Sequence, residues 1–108
     1  MPRFMVELVW SQDFIKSLVD NPRDRMPELA PVVQEAGLTW EQRYYVVGEN
    51  KLIDIVSGDS DAVQSLLLAV MSTPGFNSAT CREITTSAET VPILQQAKES
   101  SFRPPSDV

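Results

Sequence analysis

The chain has 108 residues, a length that suits one domain, and its 43% hydrophobic and 22% charged content excludes a largely disordered protein. Nine basic against fifteen acidic residues give a net charge of -6, which excludes general nucleic-acid binding, because that affinity comes from Lys and Arg neutralising phosphates. The absence of histidine excludes Ser-His-Asp and Cys-His catalysis, histidine-held haem and the usual zinc shells, and a single cysteine excludes an internal disulfide.

Phe4, Val6, Leu8 and Trp10 alternate with Met5, Glu7 and Val9, the period of two that marks a strand. Both parities are mostly apolar, so this strand is expected to be central and covered on each side. Ser11 offers a hydroxyl cap to a short helix patterned by Phe14, Ile15, Leu18 and Val19 and interrupted at Asp20-Asn21-Pro22. A second helical pattern runs through Met26, Leu29, Ala30 and Val33 to Gly37, a left-handed cap. Pro27 and Pro31 cannot both occupy the first helical position, so this helix is expected to bend or restart.

The segment from Trp40 to Val47 reads as a strand. Trp40, Gln42, Tyr44 and Val46 fall on one face, and Glu41, Arg43, Tyr45 and Val47 on the other. Gly48-Glu49-Asn50-Lys51 supplies a hairpin turn, and Leu52 to Ser57 return as the partner strand. After the turn at Gly58, an amphipathic helix follows through Ala62, Val63, Leu66, Leu67 and Val70, stopped by Thr73-Pro74-Gly75. Ser78 to Thr86 form a less hydrophobic strand expected at an edge. Thr86 and Glu89 have capping-box spacing for a short last helix through Val91, Leu94 and Ala97. One domain over 1–98 and a flexible tail over 99–108 are expected.

The order strand, helix, strand, strand, helix, strand defines an α+β fold of ferredoxin-like plan. It has a four-stranded antiparallel sheet, helices on one face and a short extra C-terminal helix. With Phe4, Val6, Leu8 and Trp10 toward the helices, Met5, Glu7 and Val9 line the bare face, with Leu52, Asp54 and Val56 expected beside them. That surface is too apolar for water, and a symmetric homodimer burying about 800 Å² per partner would cover it.

Several segments carry a family resemblance. They are Arg3 to Trp10 with Ser11-Gln12-Asp13-Phe14-Ile15-Lys16, Asp20-Asn21-Pro22-Arg23, Tyr44-Tyr45-Val46-Val47-Gly48-Glu49, Ile53-Asp54-Ile55-Val56 with Asp59, and the late strand with Thr80 before the Glu89 helix. In that order they resemble GYD-domain proteins over most of residues 3–97. The Tyr-Asp pair of the family name would fall at Asn50 and Lys51, so only Gly48 and Glu49 match around the turn, and no role of that pair transfers here. The resemblance implies a dimeric α/β barrel of ferredoxin-like subunits and little about activity. Related-looking folds include cofactor-free monooxygenases, muconolactone isomerase and stress-responsive barrel proteins, and fold analogy alone does not transfer their chemistry.

Glu7 and Asp54 lie mid-strand between apolar neighbours, on strands expected to be adjacent and parallel. In a partly dry cleft, two carboxylates can split their pKa values and serve as acid and base. The alternative is that they pair with Arg43, Arg82 or a partner subunit and set dimer register. Trp40, Tyr44 and Tyr45 are candidates to line a pocket between sheet and helices, with Trp10, Arg43 and Arg82 as further ligand contacts; packing is the competing role for the aromatics. Met26 and Met71 fit a core, Asp59 and Asp61 fit helix capping better than calcium, and Gly48 and Gly58 are turn residues without a phosphate-cradling motif. Cys81 reads as a small half-buried strand residue, against a reactive thiol activated by Arg82.

No cofactor and no metal are expected. The first residues lack a signal-peptide pattern, and the longest apolar run, Leu66 to Met71, is shorter than the roughly 18 residues of a membrane span, so a cytoplasmic protein with no membrane partner is expected. Three functions follow in order. The first is a homodimer binding a small, partly apolar molecule between sheet and helices. The second is a cofactor-free isomerase or monooxygenase-like enzyme with Glu7 or Asp54 as base. The third is a structural or assembly protein recruiting partners through the sheet face or the edge strand Ser78–Thr86.

Overall fold

The fold was obtained as a computed structural model that describes residues 1–102 and 104. Of the tail read over 99–108, residues 103 and 105–108 therefore lie outside the described residues. The elements run β1 (Arg3–Trp10), α1 (Gln12–Asp20), α2 (Met26–Glu35), β2 (Thr39–Tyr45), β3 (Lys51–Ser57), α3 (Ser60–Met71), β4 (Phe76–Ile84) and α4 (Ser87–Lys98). The strands form one four-stranded sheet in the order β2-β3-β1-β4, and every neighbouring pair is antiparallel. This is the ferredoxin-like α+β arrangement, with two consecutive helices filling the first crossover.

Local chemistry explains the starts and stops. The Ser11 hydroxyl accepts from the Phe14 N–H at 3.1 Å, which opens α1 and turns Phe14 into the core. Contrary to the expected break, α2 is one ten-residue helix that carries Pro31 inside it. Pro27 sits in its first turn, where N–H groups have no helical partner in any case, so only Pro31 removes a helical hydrogen bond. The helix ends in a Schellman motif: Gly37, at φ 79°, donates to the Gln34 carbonyl, and the Leu38 N–H reaches the Val33 carbonyl. The accompanying contact joins Leu38 and Val33 in the core.

Strand ends shift by one or two residues from the pattern. β2 stops at Tyr45 because the Val46 N–H closes the loop onto the Lys51 carbonyl, and Val47 is 98% exposed. β4 starts early because a register shift between Val9 and Trp10 brings Phe76 opposite Trp10, and it ends at Ile84, short of Thr86. Asp59 takes the N-cap position of α3 without a side-chain cap bond, so the expected capping role narrows to Asp61, which favours the first turn through the helix dipole. The capping box of α4 is complete: the Glu89 N–H donates to Thr86 Oγ1, and the Thr86 N–H donates to Glu89 Oε1. No residue of α4 is buried.

The core gathers Phe4, Val6 and Leu8 from β1, Leu52 and Val56 from β3, Phe14, Val33 and Val63 from the first three helices, and Leu38. The register Phe4↔Val56, Val6↔Asp54, Leu8↔Leu52 corrects the expected faces. Leu52, Asp54 and Val56 lie under the helices, and β1 and β3 run antiparallel, not parallel. The bare face carries Met5, Glu7 and Val9 with Ile53 and Ile55. Both parities of β3 are apolar, so alternation set its period without setting its phase. The isoleucines face outward because a buried arginine neutralises Asp54 on the other side.

Candidate functional site

A cavity of about 420 Å³ lies between the sheet and the helices. Val6 and Leu8 form its floor, Leu29 and Val33 of α2 one wall, and Leu66 and Val70 of α3 another. Three polar side chains interrupt this apolar lining on the β2–β3 side, namely Trp40, Arg43 and Asp54.

A β-bulge brings those three together. Trp40 pairs with Val56, and the next paired residue, Gln42, faces Ile55, so Glu41 is the extra residue. The register slip inverts the alternation beyond it and puts Arg43 beside Trp40 on the helix side, directly opposite Asp54. Arg43 Nε and Nη2 donate to the two carboxylate oxygens of Asp54 at 2.7 and 2.9 Å, a bidentate pair whose side chains are only 8% and 9% exposed. Trp40 Nε1 donates to Asp54 Oδ1 at 3.2 Å, and the Arg43 guanidinium lies 4.8 Å from the centre of the Trp40 ring. Among the described residues, Arg43 Nη1 is buried without a hydrogen-bond partner, and so is Nε of Arg25, which lines the cavity from the N-cap of α2.

The bare face holds a different cluster. Glu7 meets Arg82 at 3.1 Å and Lys51 at 3.5 Å, and Thr80 Oγ1 donates to it at 3.3 Å. The hydrogen bond from Arg82, helped by Lys51 and Thr80, holds the Glu7 carboxyl below its ordinary pKa against a smaller opposing effect of burial. Glu7 and Asp54 therefore sit on opposite faces of the sheet, so they are not an acid–base pair across one cleft. Each has instead the arginine partner of the alternative reading, Arg82 for Glu7 and Arg43 for Asp54.

Of the expected ligand contacts, Trp40 and Arg43 line the cavity. Trp10 and Tyr45 pack with tilted rings 5.7 Å apart at the end of the core, beside Phe14 and Phe76, which do line it. Tyr44 pairs opposite Ile53 on the bare face and is 57% exposed, and Arg82 belongs to the Glu7 cluster, so neither is part of the cavity. Sequence reasoning missed Arg25 and the α2 and α3 walls. The available signal was an arginine directly before the apolar stripe of α2. Cys81 is half-buried on the helix side, where burial pushes its thiol pKa up against a weaker lowering effect of Gln64, the opposite of an activated nucleophile.

Among the described residues, no group of three or more Cys, Asp or Glu side chains could hold a metal ion, and no helix is long and apolar enough to cross a membrane. Fold and site together define an α+β protein of ferredoxin-like type with an apolar cavity built around a buried arginine–carboxylate pair. No family model matches the chain, and no curated protein matches it.

Proposed function

We propose that the protein is a homodimer of GYD type that binds a small, partly apolar molecule in the cavity between sheet and helices. The observation that carries this reading is the cavity itself. About 420 Å³ of space in the middle of the core falls within the range of about 300–1,000 Å³ typical of small-molecule sites, and its few polar groups converge on one side. A carboxylate-base enzyme has less support. Both oxygens of Asp54 already accept hydrogen bonds from Arg43, and the lowered pKa of Glu7 makes it a weaker base.

Titration with the neutral fluorophore N-phenyl-1-naphthylamine tests the binding. Saturable binding of one probe per chain is expected, and Leu66→Trp, which fills the cavity, should weaken it at least about tenfold. A folded wild-type protein that shows no saturable uptake would remove the reading.

The dimer is supported by apolar surface that one chain leaves uncovered. Tyr44 is 57% exposed beside Ile53 and Ile55 on the bare face, and Val91, Ile93 and Leu94 of α4 are 52%, 52% and 61% exposed. A self-complementary twofold contact would shelter both. Sedimentation velocity is expected to show a dimer at micromolar concentration, and Ile53→Asp, which puts a charge in the middle of that face, should shift it to monomer. A wild-type monomer at the same concentration would refute the assembly while leaving the cavity in place.

A further inference from the structure

Resting on the binding function proposed above, we infer that the cavity selects amphipathic acids, with the apolar body among the helices and a single negative charge facing Arg25 and Arg43. Three observations carry this. The first is charge. The ionised side chains that line the cavity are two arginines, Arg25 and Arg43, and one carboxylate, Asp54, which leaves an excess of one positive charge inside a chain of net charge -6.

The second observation is unmet hydrogen bonding. The Arg43 side chain is 8% exposed, and Asp54 takes only Nε and Nη2, so Nη1 remains a buried donor without an acceptor among the described residues. A buried donor left unpaired is costly, and more so when it is charged. An acceptor group brought in by a ligand removes that cost, and an anionic acceptor gains most because charge-assisted bonds are the stronger kind.

The third observation is that Arg25 is only partly neutralised, by an ion pair with Glu28. Its Nε is also buried without a hydrogen bond, and its nearest carboxylate, Glu28, lies 3.6 Å away. Glu28 is already engaged by Arg23 Nε, so one carboxylate is shared between two guanidiniums. The other acidic side chain nearby, Asp24, is occupied in accepting from the Met26 N–H at 3.0 Å. The rest of the lining is mostly apolar, including Leu29, Leu66 and Val70, and the hydroxyl of Thr73 already donates to the Val70 carbonyl, so the ligand needs its charge at one end and hydrocarbon or an aromatic ring at the other.

The test compares three probes of equal chain length near pH 7: octanoate, 1-octanol and octylammonium. Displacement of N-phenyl-1-naphthylamine reads their binding. Octanoate is expected to bind at least about tenfold more tightly than octanol, and octylammonium more weakly than either. Arg25→Gln, a change at a partly exposed side chain, should bring octanoate down toward octanol, with a smaller loss for octanol than for octanoate. The paired change Arg43→Gln with Asp54→Asn, in protein shown to be folded by circular dichroism, should do the same without leaving a lone buried charge. If the naphthylamine binds while octanoate and octanol displace it equally, or octylammonium displaces it best, the acid preference is wrong and the cavity function stands. If the naphthylamine itself does not bind, the cavity function fails and the acid preference fails with it.

Discussion

Asp54→Ala is expected to lower the unfolding free energy by about 3–5 kcal/mol, the largest loss from any single side-chain truncation on the sheet. The carboxylate is 9% exposed and, among the described residues, is the only acceptor for Arg43 Nε and Nη2, while Trp40 Nε1 shares it. Removing it leaves a guanidinium charge in the core with none of its donors satisfied among the described residues, since Nη1 already lacks a partner there. Most of the effect is thus the desolvation of an orphaned charge and not the strength of the pair. Replacing both partners together, as Arg43→Met with Asp54→Leu, should therefore recover most of the loss, and urea denaturation of the two single variants and the double variant measures that coupling. The Arg3–Glu41 pair provides the contrast. It has the same 2.7 Å separation, but its side chains are 38% and 32% exposed, so Glu41→Ala should cost less than about 1 kcal/mol. Equal losses for Asp54→Ala and Glu41→Ala would show that burial does not set the energetics of the site.

The same pair marks where sequence legibility ended. Alternation in β1 separated Phe4, Val6 and Leu8 from the parity that carries Glu7, and Thr86 with Glu89 and Gly37 marked helix boundaries, because each signal is local and depends on a few consecutive residues. From these the strand and helix order, and hence the ferredoxin-like sheet, could be read. The bulge at Glu41 could not. A strict period of two puts Trp40 and Arg43 on opposite faces, whereas one extra residue unites them over Asp54. Nor could the phase of β3, since Asp54 on an apolar strand looks like an outward residue until its arginine, eleven positions earlier, is known to share its face. The cavity was legible as a pocket between sheet and helices with Trp40 and Arg43 among its contacts. Its helix walls and Arg25 depend on how α2 and α3 sit over β1, which no local pattern encodes.

Gly58→Ala is expected to cost about 2–6 kcal/mol, the second large effect, through backbone strain and a clash that act together. Gly58 joins β3 to α3 at φ 149°, a conformation open essentially to glycine alone and costing another residue about 1–3 kcal/mol. It is also buried, and its N–H donates to the Pro2 carbonyl at 3.0 Å, so the chain cannot easily rotate to relieve the strain. A methyl group there would run into Leu38 Cδ2 and lie 3.5 Å from the Leu38 Cα, adding an overpacking cost of about 1–3 kcal/mol. Gly37 separates the two contributions. Its φ of 79° is also positive, but a Cβ there meets nothing within 4 Å, so Gly37→Ala should cost only the left-handed penalty of about 1–2 kcal/mol. Leu38 lines the cavity and is held in the core by the Schellman contact with Val33, so the clash at Gly58 pushes on a wall of the binding site. Gly58→Ala should accordingly weaken N-phenyl-1-naphthylamine binding as well as stability. Equal destabilisation of the two alanine variants in urea, with unchanged probe affinity in both, would show that the Gly58–Leu38 approach has no part in shaping the cavity.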